Sequence, residues 1–124
     1  LQDGSGDGRG ELALVDFVVA GRPFQALDGG PQFPHSPAVS VVVPCDDQAE
    51  ADAYWDALIG SGGTPGQCGW LTDPFGVSWQ VVPMQLMELL GDPDPARAAR
   101  AHAAMLTQSS LDLAAMRAAM DVED

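Results

Sequence analysis

Apolar positions along the chain follow two different periods, and the switches between them mark the elements. From Leu12 to Val19 β-branched and aromatic residues dominate, which predicts a strand. Gly21-Arg22 then turns the chain into a second strand at Phe24–Leu27, forming a hairpin. Asp28-Gly29-Gly30-Pro31 breaks it, and the proline-rich stretch through Pro37 reads as a loop. Ala38–Val43 is a nearly continuous apolar run, predicting a third strand covered on both faces. The period then lengthens. Ala51, Tyr54, Trp55, Leu58 and Ile59 share one helical face, with Asp47 as cap, Glu50 completing a capping box and Gly60 as the stop. Two strands follow at Cys68–Leu71 and Val77–Val82 around a turn at Asp73-Pro74-Phe75-Gly76. After Pro83 the pattern is helical: a short segment at Met84–Leu90, a second opened by Asp94 with Pro95 and reaching about Leu106, and a last opened by Ser110 with Leu113, Met116 and Met120 in step.

The predicted order is β-β-β-α-β-β-α-α-α, an α+β arrangement with one helix behind an antiparallel or mixed sheet. At 124 residues the chain has room for one domain with one core. Residues 1–10 are rich in Gly and Asp and are expected to be flexible. Their glycines do not read as a phosphate loop, because no strand precedes them and Asp3 and Asp7 would repel phosphate.

Charge narrows the partners. Eighteen Asp and Glu face five Arg, with no Lys, for a formal net charge of −13. Such a field repels nucleic acid and anionic membrane surfaces, and fits a soluble protein or one with a cationic partner. No run approaches the ~18 apolar residues a membrane span needs, and no signal peptide is visible at the start. With only Cys45 and Cys68 there is no disulfide scaffold, so a reducing cytoplasm is the expected compartment. The chain opens with Leu1 and not Met, which suggests residues upstream.

Three stretches carry a family resemblance: Phe24-Gln25-Ala26-Leu27-Asp28-Gly29-Gly30-Pro31-Gln32-Phe33; the block from Cys68-Gly69-Trp70 to Ser78-Trp79-Gln80-Val81-Val82-Pro83; and Leu89-Leu90-Gly91-Asp92-Pro93-Asp94-Pro95 with the Ala-rich helix after it. From about residue 11 to 120 they resemble the PhnB-like, or "3-demethylubiquinone-9 3-methyltransferase", branch of the vicinal-oxygen-chelate (glyoxalase/bleomycin-resistance/dioxygenase) superfamily. The resemblance implies a βαβββ-type fold, two such modules pairing around a cavity, often in dimers. On that scheme residues 11–37 are the hairpin and loop ending module one, 38–83 are module two, and 84–124 are C-terminal helices of the same domain. Module one is then incomplete, since its first strand and helix should precede residue 11. A sheet missing strands exposes unpaired edges, so a homodimer whose partner covers the gap is expected. Asp28 also departs from the family, which usually carries Asn there.

Metal-dependent members of the superfamily hold a divalent cation with His and Glu on sheet strands. Aligning the Asp-Pro-x-Gly turn puts Gln80 at the usual Glu position, and Ala38 and Ser40 stand where a His is expected. No metal and no cofactor are therefore expected. His35 reads as a loop residue and His102 as a helix-surface residue. The methyltransferase label reads as a family name only. S-adenosylmethionine usually needs a doubly wound sheet with a glycine-rich strand-to-helix turn, which the pattern lacks. Neither cysteine has a cation beside it to stabilise a thiolate.

Alternation puts Ser78, Gln80 and Val82 on one face of the last strand and Val77, Trp79 and Val81 on the other. With Gln80 facing a cavity, Trp79 packs under the helix bearing Tyr54 and Trp55. The pocket candidates are Gln80, Trp70, Ser78, Ser40, Asp16 and Gln25: aromatic walls with a few amides and hydroxyls, suited to a flat, polar organic molecule. Plain core packing is the competing role for each tryptophan. The expected function is binding of a small organic molecule without a metal. Two rivals are a metal-dependent lyase, isomerase or dioxygenase of the superfamily and an acidic protein-interaction module.

Overall fold

The computed structural model describes residues 13–122. The predicted flexible segment at 1–10 and the start of the first strand at Leu12 lie outside them. The chain divides after Pro34 into two compact units, and each is built around its own sheet.

The first unit is a hairpin of β1 (Leu14–Val19) and β2 (Arg22–Leu27), antiparallel with Asp16 opposite Gln25 and Phe17 opposite Phe24. The Phe17 and Phe24 rings stack with centroids 5.5 Å apart. The turn sits one residue earlier than expected. Ala20 and Gly21 both have positive φ, at 50° and 78°, while Arg22 already pairs with Val19. Two left-handed residues give the backbone twist that a two-residue hairpin needs, and glycine meets that demand without a Cβ penalty.

The second unit begins at His35 and holds a four-stranded sheet and four helices. β3 (Ser40–Cys45) leads into α1 (Gln48–Gly60), followed by β4 (Thr64–Pro65), β5 (Trp70–Thr72) and β6 (Ser78–Pro83). The sheet order is β3-β6-β5-β4, with β3 parallel to β6 and the other pairs antiparallel. This mixed α+β arrangement of open sheets and helices is compatible with a glyoxalase-like fold. The short β4 was not foreseen, since two residues carry no period. Cys68 and Gly69 are not strand, because both have positive φ (58° and 83°) and turn the chain into β5. The third strand starts at Ser40, with Ala38 and Val39 in the turn before it.

α1 begins as its sequence dictates. Asp47 Oδ1 accepts from the Glu50 amide at 2.8 Å. The reciprocal half of the box is displaced by one residue, the Glu50 carboxylate accepting from the Asp46 amide at 3.4 Å. The helix ends in a Schellman turn. Gly62 N–H donates to Ile59 O and Gly63 N–H to Leu58 O, and Gly62 takes the left-handed position with φ 106°. The stop is thus Gly62, and Gly60 is still helical.

Two clusters form the core of this unit. Cys45, Ala51, Leu71 and Val81 are buried between α1 and the sheet, with Val43, Trp55, Leu58, Ile59 and Trp79 packed around them. Trp79 lies under the helix beside Trp55 as expected, but Tyr54 is exposed. The helix covers one sheet face only. Val42, on the other face of β3, is half exposed, so that strand is not covered on both sides. β3 is an edge strand of its sheet, and its valines alternate between the α1 side, where Val43 packs, and the other face, where Val42 stays half exposed.

The second cluster joins α2 (Leu86–Leu90), α3 (Pro95–Met105) and α4 (Leu113–Met120) through Leu86, Ala101, Leu111, Leu113, Met116 and Met120. Asp94 caps α3 through Ala96 N–H. α4 is capped by Asp112 through Ala115 N–H, not opened at Ser110. Carboxylate oxygens make strong caps because the first helical amides lack intrahelical partners. The tail is tied to the sheet layer at two places. The Gln48 amide donates to Leu111 O and accepts from Leu113 N–H, each at 2.8 Å. Cys68 and Gly69 N–H donate to Gln108 O and Ser109 O, and the Ser109 hydroxyl donates back to Gly66 O.

Candidate functional site

The sheet face turned away from α1 gathers four of the six candidate residues. Register decides this. Directly paired residues present their side chains on the same side, and Gln80 pairs with Trp70 on β5 and Val42 on β3. Ser78, two residues earlier on β6, pairs with Ser40 and with Thr72, and Thr72 pairs with Thr64. The face therefore reads as two adjacent rows. One holds Val42, Gln80 and Trp70, and the other the hydroxyls of Ser40, Ser78, Thr72 and Thr64. Across the rows the Gln80 amide donates to the Ser40 hydroxyl at 2.8 Å.

Ser78 is buried, while Ser40, Trp70 and Gln80 are half-buried. Val82, next on the same face after Gln80, packs against the helical cluster of the tail. The tail thus bounds one end of the face.

The face owes its position to the Asp73 turn. Asp73 Oδ1 accepts from the amides of Phe75 and Val77, each at 2.9 Å, and Oδ2 accepts from the Trp79 indole at 3.0 Å. Gly76, at φ 90°, closes the turn by donating to Asp73 O. Holding Trp79 toward α1 leaves Ser78 and Gln80 on the opposite side.

Asp16 and Gln25 lie in the hairpin unit. They face each other across the strands, the Gln25 amide donating to Asp16 Oδ1 at 3.0 Å.

The polar groups on the Gln80 face are uncharged. The chemistry of this donor set does not fit a divalent cation of the superfamily type. The two positions nearest the usual ligands carry an amide and a hydroxyl joined by one hydrogen bond, and neither supplies negative charge. Among the described residues no three His, Cys, Asp or Glu side chains gather as a metal cluster. His35 and His102 are both exposed. Both cysteines are free. Cys45 is buried on the α1 side, and burial, followed by the nearby Glu50 carboxylate, pushes its thiol above the ordinary range. That leaves it a packing residue and not a nucleophile. The Cys68 thiol faces Met105 O at 3.5 Å, within the seam that holds the tail.

A family model described as 3-demethylubiquinone-9 3-methyltransferase matches residues 2–82. The chain belongs to this family. The match spans the hairpin, β3, α1 and the remaining strands, and it ends at Val82. The Leu89–Pro95 stretch and the helical tail fall outside it. No curated protein matches the chain. The methyltransferase in the family's name calls for S-adenosylmethionine, and the described residues supply no doubly wound sheet with a glycine-rich strand-to-helix turn to cradle it. Among the described residues both strands of the parallel pair run into a helix with no glycine between, β6 into α2 through Met84 and Gln85 and β3 into α1 through Asp46 and Asp47. Two carboxylates at that helix start oppose any carboxylate or phosphate group.

One feature escaped sequence reasoning. Thr64 and Thr72 complete the hydroxyl row, and only the pairing of β4 with β5 brings them into line with Ser78. Alternation along β5 put Thr72 on one face or the other without saying which.

Proposed function

We propose that this chain binds a small, flat, polar organic molecule on the Gln80 face of its second sheet, without a bound metal. The observation behind the reading is the Gln80–Ser40 hydrogen bond beside Trp70 on the face that α1 leaves open. An aromatic surface with a few oriented, uncharged polar groups is what recognition of such a molecule requires. The β3-α1-β4-β5-β6 succession in the order β3-β6-β5-β4 supports reading residues 38–83 as one βαβββ module. The hairpin is then the end of a first module.

The working form is proposed to be a homodimer. A two-stranded hairpin is marginal alone in water, and this one leaves Val15, Phe17, Val18 and Leu27 exposed. The outer edge of β3 has no strand beside it among the described residues. A second copy of the chain would cover such surfaces. No helix among the described residues is long and apolar enough to cross a membrane. With two free cysteines, a reducing cytoplasm is the proposed compartment.

The test pairs metal analysis with mutagenesis. Purified protein exposed to Zn, Mn, Fe, Co and Ni and then desalted should retain no stoichiometric metal. A small-molecule screen by tryptophan fluorescence should find binders that Gln80→Ala and Trp70→Ala weaken while the fold survives. One metal per subunit would point to a chelating enzyme instead, and unfolding by both substitutions would make these residues core.

A further inference from the structure

We infer that the Gln80 face selects uncharged ligands carrying a carboxamide or lactam edge on a flat ring, and discriminates against carboxylates and phosphates of the same shape. The inference rests on the binding role proposed above and specifies its chemistry.

Charge comes first. The four strands of this sheet contain no Arg, Lys, His, Asp or Glu. The cationic side chains of the second unit nearest in sequence, Arg97, Arg100 and Arg117, all belong to α3 and α4. Arg97 is held by Asp92 and Asp121, and Arg100 donates to Met120 O. An anion on the face would give up hydration and meet no counter-charge from the strands beneath it, inside the field of a chain with net charge −13.

The hydrogen-bonding inventory narrows the ligand further. A glutamine amide has two N–H donors and one carbonyl acceptor. Gln80 spends one N–H on Ser40. Its second N–H and its Oε1 have no partner among the described residues, and the Ser40 hydroxyl, already accepting, keeps its own hydrogen to donate. A donor beside an acceptor is the complement of a C=O adjacent to an N–H. Trp70 and Val42 flank Gln80 in the same row, on the strands to either side. Paired strands lie about 4.8 Å apart, so a six-membered ring centred on Gln80 meets an aromatic neighbour on one side and an aliphatic one on the other.

Matched pairs test this. Nicotinamide against nicotinate, and benzamide against benzoate, differ in little besides charge and the N–H donor. Titrations of the full-length chain at pH 7, followed by ligand-observed NMR, should show saturable binding of both amides. The carboxylates should bind at least about tenfold more weakly, the loss expected when a hydrogen bond is replaced by an unpaired charge. Gln80→Ala should weaken the amides by about tenfold. Gln80→Lys, which supplies the missing counter-charge, should reverse the order, and its circular dichroism spectrum checks that the fold survives. Carboxylates binding as tightly as amides to the wild-type chain, and losing that binding in Gln80→Ala, would overturn the selectivity while leaving the binding face intact. No saturable binding by any of the four compounds would overturn both.

Discussion

The carboxylate of Asp73 is the structural pivot of the site, and its removal can be worked through bond by bond. It accepts from the Phe75 and Val77 amides through one oxygen and from the Trp79 indole through the other. Asp73→Ala deletes all three acceptor contacts. Hydrogen bonds to a charged group contribute about 1.5–3 kcal/mol each net of exchange with water, and partial exposure keeps these at or below the low end of that range. The Phe75 amide is exposed and regains a bond to water, while the Val77 amide and the indole are partly buried. Two uncompensated losses give an expected destabilisation of about 2–3 kcal/mol. Asp73→Asn separates the contributions. Its carbonyl oxygen can still take both backbone amides, but its NH2 group then faces the indole N–H, donor against donor. The expected cost is about 1–2 kcal/mol, confined to the Trp79 contact. In a Trp79→Phe background no indole donor exists, and Asp73→Asn should become nearly neutral. For a unit of this size each kcal/mol moves the thermal midpoint by about 4–8 °C. Urea denaturation and thermal melts followed by far-ultraviolet circular dichroism read the wild type and all four variants without relying on tryptophan emission. An Asp73→Ala midpoint equal to wild type would refute the pivot. So would an Asp73→Asn cost that persists undiminished in the Trp79→Phe background, because the contact assigned to the indole would then lie elsewhere.

Two further outcomes follow from the packing. Gly69→Ala should cost about 2 kcal/mol or more: φ is 83°, a position that charges L-residues about 1–2 kcal/mol, and an added Cβ would stand 2.8 Å from both Val81 O and Leu111 Cδ1. Equilibrium unfolding measures it, and a neutral effect would mean that the seam between the β5 approach and the tail is looser than these contacts imply. Cys45 gives an alkaline signature. Its thiol is raised above the ordinary value of 9.0 in the folded chain, chiefly by burial. Below that value both states hold the proton and nothing is lost. As pH climbs past it the unfolded chain ionises first, so stability falls until the folded thiol ionises as well. Cys45→Ala should show a shallower decline between pH 8 and 10.5 than wild type, and parallel curves would count against a buried, neutral thiol.

Much of this architecture is legible along the chain because local chemistry dictates it. The caps at Asp47 and Asp94 are carboxylates placed where helical amides lack partners, and the α1 face follows from helical spacing at Ala51, Trp55, Leu58 and Ile59. Strand alternation sets Trp79 and Gln80 on opposite faces, and the family resemblance, which turns Gln80 toward a cavity, is what assigns Trp79 to the helix side. Where two residues compete for a role, local chemistry is silent. Ser110 and Asp112 are both good caps, as Gly60 and Gly62 are both good stops, and the geometry of the docked chain chose the second of each pair. Cys68 looks like strand by composition but is turned to positive φ in the loop whose amides meet the tail at Gln108 and Ser109.

Order along the chain and the residues able to cap, turn or alternate were determined by sequence alone, because those preferences act over a few residues. Tertiary structure decided register. The pairing of β6 with β3 and β5 sets Gln80 between Val42 and Trp70 and lines Ser40, Ser78, Thr72 and Thr64 in one row. These residues lie far apart in sequence, and no local preference links them. Their alignment comes from hydrogen-bonded ladders whose offset is fixed only when the α1 face of the sheet closes on its core.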